Sequence, residues 1–131
     1  MSQTLIGTRG EEKLLVTSDV AIDFMGMDEA RVLSTPHLVW YLEITARNSV
    51  APLLPEGYDT VGTHVDIRHL AATPVGMTVT FRSEVIAADE KRLTFRVEAH
   101  DEKEKVSEGL HERYIVNKAR FAARVQAKRQ G

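Results

Sequence analysis

Apolar residues recur along this chain with two different periods, and the change from one to the other separates a helical part from a sheet-forming part. Between Pro36 and Ala46, the residues Leu38, Val39, Trp40, Tyr41, Leu42, Ile44 and Ala46 point all round a helical cylinder, the pattern of a helix enclosed by protein. Thr35-Pro36 marks its start. A threonine side chain can cap free N–H groups, and proline at the first helical position gives up a hydrogen bond the helix could not make there. Pro52-Leu53-Leu54-Pro55-Glu56-Gly57 ends it, so the spacing predicts a central helix from Thr35 to about Val50. From Thr60 the period becomes 2 and predicts four strands: Thr60 to Ala71, Gly76 to Ala88, Lys91 to Asp101 and Glu104 to Val116. Short breaks at Thr73-Pro74, Asp89-Glu90 and Glu102-Lys103 predict that each strand pairs antiparallel with the next. Lys13 to Val20 reads as a first strand and Asp23 to Leu33 as an irregular or short helical stretch. Asn117 to Arg129 reads as an amphipathic helix with Phe121, Ala122 and Val125 on one side.

These elements predict an α+β fold in which an antiparallel sheet wraps around a central α-helix, followed by a C-terminal helix, because each element then covers the other's apolar surface. A chain of 131 residues that is 43% hydrophobic supports one core, so residues 1–131 are expected to form a single domain. A long sheet leaves open edges that need protection or a partner strand, so a homodimer is expected.

Composition narrows the chemistry mainly by exclusion. The chain has no cysteine, which removes disulfides, thiolate catalysis and cysteine-ligated metal. His37, His100 and His111 lack metal-site spacing and there is no HExxH, so neither a metal nor a cofactor is expected. No Gly-rich phosphate loop or GxSxG elbow is present. A net charge of −2 gives no global attraction to nucleic acid, and basic and aromatic residues do not interleave on any strand. Arg120, Arg124 and Lys128 line one face of the last helix, where they are either phosphate contacts or an ordinary solvated face. No apolar run reaches membrane-spanning length, so the expectation is a cytoplasmic protein without a membrane partner.

Three side chains offer hydrolytic chemistry. Glu43 has Val39, Ala46 and Val50 as helical neighbours, placing a carboxylate in an apolar stripe, where it is either a catalytic group or one that pairs with an arginine or reaches solvent. On the strand from Thr60, alternation puts Val61, Thr63, Val65, Ile67 and His69 on the face toward the helix, with Gly62, His64, Asp66, Arg68 and Leu70 outside. His69 is therefore a catalyst or a hydrogen-bonded core residue. Thr35 has a capping duty that any functional role must outweigh, and the free N–H groups beside it would make an anion-seeking pocket. Thr35 and Glu43 lie about 12 Å apart along the helix, a gap that an imidazole hydrogen-bonded on both sides could bridge. Gly62 either lets a substrate approach the backbone or marks a bulge.

The run Ser34-Thr35-Pro36-His37-Leu38-Val39, Glu43, Gly62-Thr63-His64-Val65-Asp66-Ile67-Arg68-His69 and Ala71 to Thr80 resembles the fluoroacetyl-CoA thioesterase family of hot-dog proteins. The likeness continues through Ala99-His100-Asp101 and Gly109-Leu110-His111-Glu112-Arg113. It implies a hot-dog fold, a dimer with active sites at the subunit interface, and acyl-CoA as the bound partner. It also implies catalytic roles for Thr35, Glu43 and His69 and a thioester-binding role for Gly62. The family's aromatic gate lies upstream of Thr35, where Phe24-Met25-Gly26-Met27-Asp28-Glu29 offers only Phe24. The implied reaction is therefore hydrolysis of a small or medium acyl-CoA without selectivity for the fluorinated one, in a pocket the methionines can shape. A hot-dog hydratase or dehydratase, and a non-catalytic acyl-CoA-binding protein, are the competing readings.

Overall fold

The structure of the protein, a computed structural model, describes residues 2–23 and 25–131. Among the described residues, seven strands and two α-helices appear in the order β1 (Arg9–Leu15), β2 (Ala21–Ile22), β3 (Val32–Leu33), α1 (Thr35–Val50), β4 (Tyr58–His69), β5 (Thr78–Asp89), β6 (Arg92–His100), β7 (Lys105–Asn117) and α2 (Lys118–Gln130). Five strands form one antiparallel sheet in the order β1-β5-β6-β7-β4, and β2 and β3 form a separate short pair. Helix α1 lies across the sheet. Its Leu38, Leu42, Ala46 and Val50 pack on Val79, Phe81 and Val85 of β5 and Leu93, Phe95 and Val97 of β6, and Tyr41 stacks on Phe81 at 5.6 Å. This is the expected sheet wrapped on a central helix, with a C-terminal helix after it.

The structure differs from the sequence reading in four places. β4 does not pair with β5. It crosses to the far edge and pairs with β7, because residues 70–77 are long enough to pass over the end of the sheet, and chain neighbours need not be sheet neighbours. The first strand is Arg9–Leu15 and not Lys13 to Val20: Val16 and Val20 are buried, but a 3₁₀ turn at Ser18–Val20 separates them. Helix α1 is enclosed on one face only, and Trp40 on the other face is 57% exposed. The fourth difference is a β-bulge in β4. Gly62 pairs with Arg113 and His64 with Glu112, leaving Thr63 as the extra residue. The alternation therefore changes phase, so that Thr60 and Gly62 face the helix before the bulge and Val65, Ile67 and His69 after it. The reading that put Gly62 outside and Thr63 inside is overturned by that one inserted residue.

The segment before α1 is fixed by its surroundings. The Leu33 N–H donates to the Thr73 carbonyl (2.9 Å), the Ser34 N–H to the Val20 carbonyl (2.9 Å), and the buried Thr73 hydroxyl to Asp101 Oδ2 (3.0 Å). Asp101 also accepts from the N–H groups of Lys103 and Glu104 in the β6–β7 turn. The helix start is thereby tied to β6 and β7. No helix among the described residues is long and apolar enough to cross a membrane.

Candidate active site

The helix start is capped by Ser34 and not by Thr35. The His37 N–H donates to Ser34 Oγ (3.3 Å), and the same hydroxyl hydrogen-bonds His37 Nδ1 at 2.6 Å. Thr35 is thus the first residue of the helix, relieved of the duty the sequence assigned to it. With Pro36 lacking a donor, the His37 N–H capped and the Leu38 N–H bonded to the Ser34 carbonyl, the first turn offers at most the N–H of Thr35 itself. The expected pocket of several free N–H groups is absent there.

Released from capping, Thr35 Oγ1 lies 2.7 Å from His69 Nδ1. Nε2 is buried and forms no hydrogen bond within the chain, and it carries the ring proton when Nδ1 accepts from the hydroxyl. Burial pushes His69 below its ordinary value of 6.5, with the Ala71 backbone opposing, so the ring is neutral and basic at neutral pH. Thr35 and His69 line an open cleft of about 310 Å³ together with Val32, Leu70, Ala71 and Ala72. Larger hollows lie on the outer sheet face among charged side chains such as Arg68, Glu98 and Lys105, and hold none of the candidate residues. A hydroxyl held against a neutral imidazole at the rim of an accessible cleft has the makings of an acyl-transfer centre.

Glu43 does not join this pair. Its Oε2 accepts from Arg113 Nη1 (3.1 Å) of the same chain, and it stands directly over Gly62: a Cβ on Gly62 would come within 2.6 Å of that oxygen. The imidazole bridge from Thr35 to Glu43 is therefore not formed within the chain. The structure instead shows two separate clusters on the helix-facing side of β4, one at Thr35 and His69 and the other at Glu43 and Gly62. Met25 and Met27, expected to shape the acyl pocket, are 75% and 52% exposed, and Phe24 lies outside the described residues.

Two residues of the second cluster were not picked out from the sequence. Arg113 and His111 are both buried on the inward face of β7, where Arg113 reaches Glu43 and His111 reaches the His64 carbonyl (Nδ1–H to O, 2.8 Å). Their signal was available: His111, Arg113 and Ile115 alternate on one face, and a cation on the apolar face of a central strand needs a partner.

The family model for the fluoroacetyl-CoA-specific thioesterase, FlK, matches residues 16–119. The chain is 36% identical over 97 residues to the fluoroacetyl-CoA thioesterase of Streptantibioticus cattleyicolor, covering 74% of this chain and 70% of that protein. A solved structure of the fluoroacetyl-CoA thioesterase FlK superposes with a TM-score of 0.84 at 29% identity, over 94% of this chain and 96% of that one. Variants of that protein have been solved with fluoroacetate and CoA and with acetyl-CoA. A hot-dog-like protein from Thermanaerovibrio acidaminovorans shares the fold at a TM-score of 0.88 and 24% identity, over 97% of this chain and 96% of that one.

Proposed function

The chain belongs to the fluoroacetyl-CoA-specific thioesterase family and is an acyl-CoA thioesterase of the hot-dog fold, and from that premise we propose a site assembled between two protomers. In this reading residues 1–131 form one catalytic unit, and two copies pair through the β4 edge. The run from Gly62 to Asp66 is exposed and lacks a partner strand on its outer side. Antiparallel pairing about a twofold axis near Asp66, at the end of that run, brings the bulged pair Gly62 and Thr63 of one copy opposite the partner's His69. Glu43, seated over Gly62, then faces the Nε2–H that His69 leaves unpaired in its own protomer. The observation that carries the reading is a buried imidazole nitrogen without a partner in one half-site and a carboxylate held ready in the other.

In the assembled site Glu43 orients the imidazole, His69 Nδ1 takes the Thr35 proton, and the Thr35 oxygen attacks the thioester carbonyl carbon. The tetrahedral oxyanion collapses with cleavage of the C–S bond, and CoA leaves with the proton from His69. Water, deprotonated by the same imidazole, hydrolyses the acyl-threonine to the free acid. Gly62 allows the thioester to lie against the backbone of the edge strand. The acyl group is small or medium, with no selectivity for fluoroacetyl. No aromatic side chain stands in the described segment 25–34, and its exposed methionines form an adaptable wall in place of a rigid aromatic gate.

Two measurements test this. Release of free thiol across acetyl-, butyryl-, isobutyryl-, benzoyl- and fluoroacetyl-CoA should show turnover without a fluoroacetyl preference, and saturable binding without thiol release would refute the proposed hydrolysis. Mixing Glu43→Gln with His69→Ala tests the shared site. Each variant alone should be inactive, but random re-pairing makes half the dimers mixed, each with one site intact, restoring about a quarter of the full rate. A site contained in one protomer would give no restoration.

A further inference from the structure

Helix α2 has no task in the shared site, and its charge sets it apart from the rest of the chain. Five of the 17 Lys and Arg residues and none of the 19 Asp and Glu residues lie in it, so against a total of −2 the helix carries +5 and the remaining chain −7. Every residue from Lys118 to Gln130 is exposed. Lys118, Arg120, Arg124, Lys128 and Arg129 form no ion pair with the described carboxylates. Like charges this dense repel one another and weaken a helix whose length is marginal on its own, so an anionic ligand would stabilise it.

The helix start is fixed relative to Gly62. Asn117 pairs with Tyr58 across β7 and β4, the Lys118 N–H donates to the Gly57 carbonyl (2.9 Å), and Asn117 Oδ1 accepts from the Arg120 N–H (3.0 Å). On the same ladder Gly62 pairs with Arg113, so α2 begins four residues, or about 13 Å, from the glycine. An extended pantetheine arm is longer than that gap, and a CoA thioester lying over Gly62 can set its phosphates at α2. Two cations that reach the start of β4 from inside the fold are engaged elsewhere: Arg113 is buried, and Arg47 pairs with Asp59 at 2.6 Å.

Phe121, Arg124, Val125 and Lys128 recur at i, i+3, i+4 and i+7 and line a hollow of about 250 Å³ along one side of the helix. Phe121 and Val125, 37% and 50% exposed, give it an apolar floor, while Arg124 and Lys128 stand one turn apart, about 6 Å along the axis. That combination suits a nucleotide: a purine ring lies flat on an aromatic face, and two cations a turn apart meet two phosphate groups. A lipid surface would need a broader apolar stripe than one phenylalanine and one valine among alanines. We propose that this face of α2 is the clamp for the nucleotide end of acyl-CoA, with Phe121 and Val125 under the adenine ring and Arg124 and Lys128 on the phosphates. The proposal rests on the reading of Gly62 as the glycine that the thioester lies against.

An acyl-pantetheine keeps the thioester and the arm of an acyl-CoA but lacks its nucleotide, so the fastest acyl-CoA of the panel and its pantetheine counterpart separate the clamp from the chemistry. Arg124→Gln, Lys128→Gln and Phe121→Ala should each raise KM for the acyl-CoA roughly 3- to 10-fold, and the two charge changes together roughly 10- to 50-fold, with kcat within about twofold. For the acyl-pantetheine the same variants should leave kcat/KM within about twofold. Lys13→Gln, an equal loss of charge on β1 at the opposite edge of the sheet, should alter neither. Added salt should raise KM for the acyl-CoA in the unmodified protein and much less in the double variant. Equal rises in KM for both substrates, or none for either, would overturn the proposal and leave the hydrolysis standing. A double variant that sediments as a monomer where the unmodified chain is a dimer would assign α2 to a second copy, and overturn it too. Calorimetric titration of CoA and of pantetheine reads the clamp without turnover: CoA should bind at least about tenfold tighter, and the double variant should erase that advantage. An advantage that survives refutes the clamp, whereas absence of thiol release from either thioester sinks the hydrolysis and not the clamp.

Discussion

Replacing Gly62 by alanine is the sharpest single perturbation of the site, because its effect on rate and its effect on folding should separate. The new Cβ would stand 2.6 Å from Glu43 Oε2, 3.3 Å from His111 Cε1 and 3.4 Å from Arg113 Nη1. Ordinary contact is about 3.5 Å, so the carboxylate oxygen must retreat by roughly 0.9 Å. The other two contacts are already tight and close off retreat toward β7. The bond from Arg113 is 3.1 Å long and near the limit for a good hydrogen bond, so that displacement breaks or bends it. Because the atom that moves is the tip of a flexible side chain, the fold should lose only about 1–2 kcal/mol, or roughly 3–8 °C in thermal midpoint. A catalytic carboxylate displaced by nearly an ångström should cost about 100-fold in kcat, more than any rise in KM. Gly109→Ala is the control: its Cβ would collide with the Asp66 carbonyl and come within 2.6 Å of Ile67 Cα, so it should disrupt the β4–β7 pairing and fail to fold. Thermal melts with steady-state kinetics on Gly62→Ala decide the matter. A folded variant with kcat within twofold of the unmodified enzyme would refute the placement of Glu43 at the reacting groups.

Three further outcomes follow from the same geometry. Burial lowers His69 and His111 below 6.5, so the unfolded chain binds protons that the folded one refuses: stability is full above pH 6.5 and declines as pH falls through 6.5 toward the folded values. The thermal midpoint should drop between pH 7.5 and 5.5, and His111→Gln should flatten that slope; a midpoint that rises on acidification contradicts the burial of both rings. Ser34→Ala removes the cap on the His37 N–H and should cost about 1 kcal/mol in denaturant unfolding, whereas a Thr35→Ala change should lower turnover with little loss of stability. Asp101→Ala removes acceptors for Lys103 N–H, Glu104 N–H and the buried Thr73 hydroxyl, and should destabilise by about 2 kcal/mol; an unchanged melting curve would show that this clasp does not hold the helix start.

What the sequence disclosed was what depends on periodicity and punctuation. Helix α1 was legible because Thr35-Pro36 and Pro52 bracket a helical apolar pattern, and the four later strands because alternation runs nearly unbroken through each of them. The likeness around Thr35, Glu43, Gly62 and His69 pointed to the residues that the structure gathers on one side of β4. Hidden were features that depend on tertiary choice. That Ser34 and not Thr35 caps the helix turns on backbone geometry one residue apart, and both are acceptable capping residues. That β4 crosses to β7 turns on which edge remains open, which no local pattern encodes. Arg113 escaped notice because a charged residue within a strand is normally taken to face solvent.

The bulge at Thr63 ties these hidden features to the chemistry. Gly62 and His69 are seven positions apart, an odd number, and on a regular strand they face opposite sides of the sheet. The sequence reading was forced to choose, and it put His69 inside and Gly62 outside. One extra residue removes the choice: Gly62 pairs across from the inward Arg113, while Val65 pairs across from the inward His111. Both half-sites then lie on the helix side of a single edge strand, as an antiparallel twofold pairing requires if each is to complete the other. Deleting Thr63 should restore regular alternation and turn one half-site outward, leaving a folded sheet whose Thr35–His69 pair no longer meets a carboxylate.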